Sequence, residues 1–457
     1  MKNLIYILVF IIPCLINSQT IQRKAGLGVA LYSQNSDSLF KRLNLKPIDG
    51  AVVRTVIPGS NADILKILPN DIITNINYVD IKSASELILF AQKLKQGEII
   101  NVVLNRKNKL IKLNGELVGK PYEISNDEIK VSYGEFKFEN TLIRTITKTP
   151  LKLKSKGVVY FIQGISCYSV DNLNSLDPTK LAIDAFVKLG YTVFTAEKLG
   201  MGDSYYHCAC NEIGFKKELE VFTEGYKHLI NQFPNQKIIL FGHSLGGITA
   251  PLIAQKFKTN AVIVYGTGLK PWSDYLLDAY LVQSRYYQAD LANLRDTLEK
   301  VKFTLYKLFY ETKTKDFAIT DPLAKLASQA ILNYNPQSGY FAAERTLQFH
   351  QEINEHNHAK AWKNTNTKVL AIYGESDIAA NNKYDTEEIA RYINELRPGT
   401  AQFMFVPKTN HTFQKIGTMQ DFVKLESEDP AKYQLFALSQ FNHDLFKDID
   451  VWLNNNL

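Results

Sequence analysis

The chain has 457 residues, of which 45% are hydrophobic and 22% charged, with a formal net charge of +7. This length exceeds what one hydrophobic core usually serves, so we expect two or more domains. The composition excludes a disordered or collagen-like chain, and the basic residues are dispersed rather than clustered, which argues against nucleic-acid binding.

The N-terminus is typical of a secretory signal peptide. Lys2 precedes an apolar run over residues 4–16, and a polar stretch that contains the small residue Ser18 follows. The run is shorter than the ~20 residues of a transmembrane helix. We therefore predict a signal peptide over residues 1–18 and no stable membrane anchor after its removal; the alternative is a retained anchor. The mature chain is expected to be exported, either to the periplasm or by secretion.

Residues 20–120 alternate short apolar strands with two helical patterns. The glycine and apolar patterns over residues 26–29, 56–62 and 68–77 resemble those of a bacterial PDZ domain, a small mixed α+β fold. This resemblance implies that an extended peptide C-terminus binds at the loop, where glycines let backbone N–H groups face a carboxylate. The residues of that loop are Gly26, Leu27, Gly28 and Val29. The alternative is a PDZ-like fold that only docks on its neighbouring domain.

The pattern changes after two strand-like stretches at residues 128–133 and 142–147. Buried apolar strands then alternate with helices, which predicts a doubly wound, mostly parallel α/β sheet within residues 124–457. The predicted strands cover residues 158–162, 192–195, 237–241, 261–265 and 369–373.

A candidate nucleophile follows the strand at residues 237–241. Residues 242–246 read Gly-His-Ser-Leu-Gly, and a helical stretch comes directly after them. Small residues on both sides of the serine allow a sharp strand-to-helix turn that presents its hydroxyl above the sheet. This pattern predicts Ser244 as the nucleophile, although the motif also occurs by chance in unrelated chains.

The acid and base that such a serine requires follow in the expected order, each after a later strand. Asp377 comes after the strand at residues 369–373, and His411 comes after an apolar stretch at residues 403–407. An imidazole activates a hydroxyl by accepting its proton, and a carboxylate orients the imidazole. We predict that Asp377 and His411 complete a triad. Glu375 is the alternative acid, and the alternative role of Asp377 is a helix N-cap.

An oxyanion hole needs two backbone N–H donors. Leu245, which follows the serine, is the first candidate, and the loop after residues 158–162 supplies the second. Ile165 is preferred in that loop because Gly164 lets the backbone approach; Ser166 is the alternative. The residues predicted to line the substrate pocket are Gln163, Gly164, His243 and Trp272.

These segments, together with the Gly-x-Gly-x-Ser loop at residues 197–204, resemble the α/β-hydrolase superfamily over residues 131–457. The resemblance extends to bacterial esterases and to relatives of serine aminopeptidases and prolyl oligopeptidases, and it implies an acyl-enzyme intermediate. It also implies that the loop bearing Cys167 meets the loop bearing Cys208 and Cys210. We favour a disulfide between Cys167 and Cys210; pairing with Cys208 and three free thiols are the alternatives.

Residues 268–366 form an aromatic-rich helical insertion, which we predict to be a cap over the pocket. Most of its aromatic side chains are expected in the core, with a minority, including Trp272, at the substrate. His350, His356 and His358 are interpreted as lying on solvated helix faces, so neither a metal nor another cofactor is predicted.

The leading hypothesis is an exported serine hydrolase that cleaves a carboxylic ester or a peptide bond through an acyl-enzyme on Ser244. Its substrate would be a small ester or a peptide, and the PDZ-like module slightly favours peptides. The alternative is a non-catalytic scaffold or binding protein built on a hydrolase fold. That alternative would be indicated by a missing triad residue, and none is missing.

Overall fold

The computed structural model describes residues 20–33 and 36–457. The predicted signal peptide at residues 1–18 lies outside the described residues. Within the described ranges, no helix combines the length and the apolar character needed to cross a membrane.

The N-terminal region forms a small antiparallel sheet with the order β1-β2-β3-β5-β6, in which β4 pairs with β3. Side chains of β5 alternate between solvent and core, as expected when one face of an antiparallel sheet is covered. The strands are β1 Val29–Leu31, β2 Ala51–Val56, β3 Ile72–Ile76, β4 Val79–Asp80, β5 Ile99–Arg106 and β6 Lys109–Glu116. The helices are α1 Asp37–Leu43, α2 Asn61–Ile64 and α3 Ala84–Ala91.

The rest of the chain is built on an eight-stranded sheet with the order β14-β13-β12-β11-β9-β10-β8-β7. Strands β9 to β14 run parallel, and β7 and β8 form an antiparallel hairpin at one edge. The mostly parallel sheet predicted from the sequence is confirmed. The strands are β7 Ile129–Phe138, β8 Thr141–Pro150, β9 Val158–Ile162, β10 Thr192–Ala196, β11 Ile238–His243, β12 Ala261–Tyr265, β13 Lys368–Ser376 and β14 Ala401–Asn410.

The central strands are continuous apolar runs because helices cover both faces of the sheet. In β9, Val159 and Phe161 pack into one hydrophobic core, whereas Tyr160 and Ile162 pack into the core on the opposite face. This arrangement fixes the strand register, since a shift by one residue would exchange the two sets.

Helices α4 Pro178–Lys188, α5 Phe215–Gln232 and α6 Gly246–Ala254 connect the first parallel strands. Between β12 and β13 lies the predicted insertion, which consists mainly of helices. They are α7 Trp272–Tyr286, α8 Leu291–Tyr310, α9 Lys315–Thr320, α10 Pro322–Ala330, α11 Leu347–Asn354 and α12 His358–Asn364. Helix α13, Lys383–Leu396, connects β13 to β14.

The C-terminal region differs from its prediction. The helical pattern over residues 432–453 predicts one last helix there, but the structure contains α14 Met419–Glu428, α15 Pro430–Leu438 and α16 His443–Asn456. The break occurs because Asn442 caps a new helix: its side chain accepts a hydrogen bond from the Leu445 N–H.

Candidate active site

Ser244 lies in the turn between β11 and α6. Its φ of 56° is in the left-handed region, which non-glycine residues rarely adopt. A Cβ at Gly242 would approach the carbonyl oxygen of Gly246 to 2.3 Å, and a Cβ at Gly246 would approach the carbonyl oxygen of Ile162 to 2.2 Å. Both glycines are therefore required by close backbone contacts around a strained serine, as the sequence motif indicated.

Asp377 and His411 meet at the same edge of the sheet because they follow the neighbouring parallel strands β13 and β14. Nδ1 of His411 lies 2.8 Å from Oδ1 and 2.9 Å from Oδ2 of Asp377. The carboxylate is fully buried, and it also accepts the Ala380 N–H at 2.9 Å as the cap of a short 3₁₀ helix. Asp377 thus pairs with the imidazole and caps the 3₁₀ helix Ile378–Ala380, whereas the N-cap of the next helix, Lys383–Leu396, is Asn382.

Glu375, the alternative acid, has a different contact. Its Oε2 accepts the backbone N–H of Lys408 at 2.7 Å. The carboxylate that pairs with His411 in this structure is therefore Asp377.

Ser244 and His411 line one cavity of about 600 Å³, but within the described residues their side chains form no direct hydrogen bond. Because Nδ1 of His411 is bound to Asp377, Nε2 is the ring nitrogen left for the cavity. Catalytic hydrogen bonds are often long in unliganded enzymes and shorten when substrate binds. The hydroxyl of Ser244 and the imidazole of His411 therefore lie at the same cavity.

His243 is adjacent to the serine and stays neutral at ordinary pH. Burial, together with the nearby His411, lowers the pKa of His243 to about 3. Its Nε2 donates to the backbone carbonyl of His411 at 2.8 Å. This contact holds the segment that carries the His411 imidazole.

Three of the four predicted pocket residues line the cavity, namely Gly164, His243 and Trp272. Gln163 does not: its side chain is buried, and both amide atoms lack a hydrogen-bond partner within the described residues. Gln163 follows the last residue of β9, and its side chain is packed inside the protein rather than at the cavity. The prediction for Gln163 is wrong in this respect.

The cap contributes apolar and aromatic lining, and two of its histidines contradict the sequence interpretation. The Nε1–H of Trp272 donates to Nδ1 of His350 at 3.1 Å, and the Trp272 ring stacks on Tyr275. His350 is fully buried, which lowers its pKa to about 4, and His358 is buried as well. These two histidines are packing and hydrogen-bonding residues rather than solvated ones. The described residues contain no group of side chains suited to a metal ion.

The two predicted oxyanion donors, Leu245 and Ile165, both lie at the cavity. A Cβ at Gly164 would come within 3.0 Å of the Cβ of Ser244, so the backbone of this loop runs directly beside the serine. Neither the Leu245 N–H nor the Ile165 N–H donates to another backbone group in the part of the chain that is described. Both therefore remain candidate oxyanion donors.

A disulfide joins Cys167, just beyond this loop, to Cys210, while Cys208 carries a free thiol. Arg345, which contacts both cysteines of the disulfide, is fully buried and pairs with Glu218, which in turn pairs with the buried Lys198. No motif in the sequence pointed to these three charged residues. Lys198 belongs to the Gly-x-Gly-x-Ser loop at residues 197–204. Arg345 comes from the cap, where no sequence signal marks it.

The sequence model of the alpha/beta hydrolase fold matches residues 157–418, more than half of the chain. The protein therefore belongs to the α/β-hydrolase fold family. Membership of this family, together with the site described above, supports a hydrolase.

Several solved structures are similar to this chain at low sequence identity. A carboxyl esterase from Bacillus coagulans is 15% identical, and the match covers 72% of this chain and 99% of that chain with a TM-score of 0.43. A monoglyceride lipase from Saccharomyces cerevisiae is 15% identical, and the match covers 74% of this chain and 99% of that chain with a TM-score of 0.42. An acylaminoacyl peptidase from Pyrococcus horikoshii is 12% identical, and the match covers 74% of this chain and 47% of that chain with a TM-score of 0.39. No curated protein sequence matches the chain.

Proposed function

We propose that the protein is a serine hydrolase that cleaves a carboxylic ester or an amide through an acyl-enzyme on Ser244. The observation that carries this proposal is the pairing of His411 with Asp377 at the cavity that Ser244 also lines. His411 accepts the hydroxyl proton as Oγ attacks the carbonyl carbon, and it returns the proton to the leaving group. The N–H groups of Leu245 and Ile165 stabilise the negative oxygen that forms.

A fluorophosphonate probe tests the nucleophile. We expect the wild-type chain to be labelled and Ser244→Ala to remain unlabelled, since the probe bonds covalently to an activated serine oxygen. Absence of labelling in a folded wild-type protein would instead support the non-catalytic scaffold. The bond type follows from comparing p-nitrophenyl acyl esters with aminoacyl and prolyl amides on the same preparation, where activity on amides alone would exclude an esterase.

The N-terminal sheet is proposed to be a PDZ module that binds a peptide terminus. Strand β1 lies at the edge of its sheet, so its outer side is open to pairing with an added strand. Gly28 has a φ of 77°, and the carbonyls of Leu27 and Gly28 are bonded inward to Ala62 and Ile57, respectively. Fluorescent peptides with a free carboxylate should bind, whereas their C-terminal amides should not. Equal binding of both would contradict the proposal.

Export is proposed as well. The disulfide between Cys167 and Cys210 supports an oxidising compartment, because such bonds rarely persist in the cytosol. Fractionation of cells that express the full chain tests this, and accumulation of the uncleaved chain in the cytosol would contradict it.

A further inference from the structure

Lys198 is a buried cation that the proposed reaction does not use. Its side chain is 1% exposed, and its Nζ donates to the carbonyl oxygen of Gly164 at 2.6 Å and to that of Ile165 at 3.3 Å. It is not among the described residues that line the cavity, so it does not touch a substrate there. Its partners instead belong to the loop that supplies an oxyanion donor.

Two consecutive buried ion pairs, Lys198 with Glu218 and Glu218 with Arg345, hold the Lys198 ammonium group in place. Oε1 of Glu218, on helix α5, lies 2.8 Å from Nζ of Lys198, and Oε2 of Glu218 pairs with Arg345. Arg345 also donates to the carbonyl oxygen of Cys210 at 2.6 Å, and its guanidinium stacks on the ring of Phe349 at 3.9 Å. A buried lysine without such partners would be costly to keep charged.

The geometry of one peptide group connects Lys198 to the reaction. The carbonyl of Gly164 and the N–H of Ile165 belong to the same planar unit, and in a trans peptide they point in opposite directions. No cis peptide occurs among the described residues. A cation bound to this carbonyl therefore fixes the N–H pointing away from Lys198. It also withdraws electron density from the amide, which makes the N–H a stronger donor.

We propose that Lys198 is a positioning residue that orients and polarises the peptide between Gly164 and Ile165, so that the Ile165 N–H can stabilise the oxyanion formed by attack of Ser244. This inference rests on the proposed function. Lys198 acts through the peptide and does not contact the reacting atoms. The effect belongs to the transition state, since negative charge on the carbonyl oxygen is largest there.

The test compares Lys198→Met with Lys148→Met in the full chain. Lys148 is a matched control because it is also buried and pairs with two carboxylates, Glu123 at 2.7 Å and Asp184 at 2.9 Å, outside the oxyanion loop. We expect K198M to lower kcat for an ester at least thirtyfold with KM changed less than threefold. K148M should keep both parameters within threefold of wild type.

The affinity for a trifluoromethyl ketone inhibitor distinguishes a role in oxyanion stabilisation from a purely structural role of Lys198. Oγ of Ser244 adds to its carbonyl carbon, the hydroxyl proton passes to His411, and the carbonyl oxygen becomes an oxyanion. The affinity of K198M for this inhibitor should fall by the same factor as kcat/KM. A K198M variant that keeps kcat and inhibitor affinity within threefold, or that loses kcat alone, overturns the proposal.

Two further comparisons keep the outcome decisive. If K198M does not fold, Lys198→Gln is measured in the same way; at least a tenfold matched loss supports the proposal, and retention within threefold overturns it. Failure of the proposed function gives a different result. If the wild-type chain neither hydrolyses esters or amides nor reacts with a fluorophosphonate, both the serine-hydrolase function and the role of Lys198 are contradicted. If the wild type is active and K198M is equally active, only the proposed role of Lys198 is contradicted.

Discussion

Nδ1 of His411 lies within hydrogen-bonding distance of both carboxylate oxygens of Asp377, at 2.8 and 2.9 Å, and the carboxylate is fully buried. Such a pair holds one tautomer of the imidazole and stabilises its protonated form. Asp377→Asn keeps the shape of the side chain but removes its charge. We expect kcat to fall by about 10³-fold or more, measured with an ester substrate. Glu375→Gln is the control, and it should retain activity because Glu375 contacts the backbone of Lys408 instead.

Gly266 packs against this pair. Its φ is 68°, and a Cβ there would lie 2.6 Å from Oδ2 of Asp377 and 2.7 Å from Nδ1 of His411. Gly266→Ala should therefore lower kcat more than tenfold, because the carboxylate and the imidazole must separate. Gly399→Ala is the matched control: Gly399 has a φ of 72° with no atom within 4 Å of the added Cβ. Both variants carry roughly 1–2 kcal/mol of backbone strain, so equal activities would show that the contact is unimportant.

The disulfide between Cys167 and Cys210 closes a loop with a sequence separation of 43 residues. Replacing both cysteines by alanine should lower the free energy of unfolding by on the order of 3–4 kcal/mol, because the unfolded chain gains conformational entropy. Denaturant unfolding measures this. Cys208→Ala, which removes the free thiol, should change stability much less. A double variant as stable as wild type would mean that the bond does not constrain the unfolded chain.

Glu197 should make stability depend on pH. Burial, with weaker repulsion from Asp171 and Asp203, raises the pKa of Glu197 from 4.5 to about 8, although Ser169 donates a hydrogen bond to it. A raised pKa in the folded state contributes stability that is complete below pH 4.5 and is lost as the pH rises towards 8. Glu197→Gln does not ionise. Its thermal midpoint relative to wild type should therefore be higher at pH 8 than at pH 5, and a pH-independent difference would contradict this.

Local patterns sufficed for the sheet and for the order of the candidate triad. Strand β9 covers the residues expected from its apolar run, and β11 leads into the serine turn as the glycines around Ser244 indicate. These features depend on short-range rules, namely side-chain alternation, helix periodicity and backbone angles that favour glycine. The predictions for Gln163, His350 and His358 were wrong because a sequence pattern does not show which side chains the rest of the fold will cover.

By itself, the sequence determined the α/β-hydrolase fold and the positions of Ser244, Asp377 and His411 directly after strands β11, β13 and β14. Hydropathy and glycine placement encode both features locally. Only the tertiary structure decided which charged side chains are buried and what they hold. Lys198, Glu218 and Arg345 come from a loop, a helix and the cap, and each is polar enough to be expected at the surface. Burying such a charge is stable only when distant partners meet, and folding alone brings those partners together.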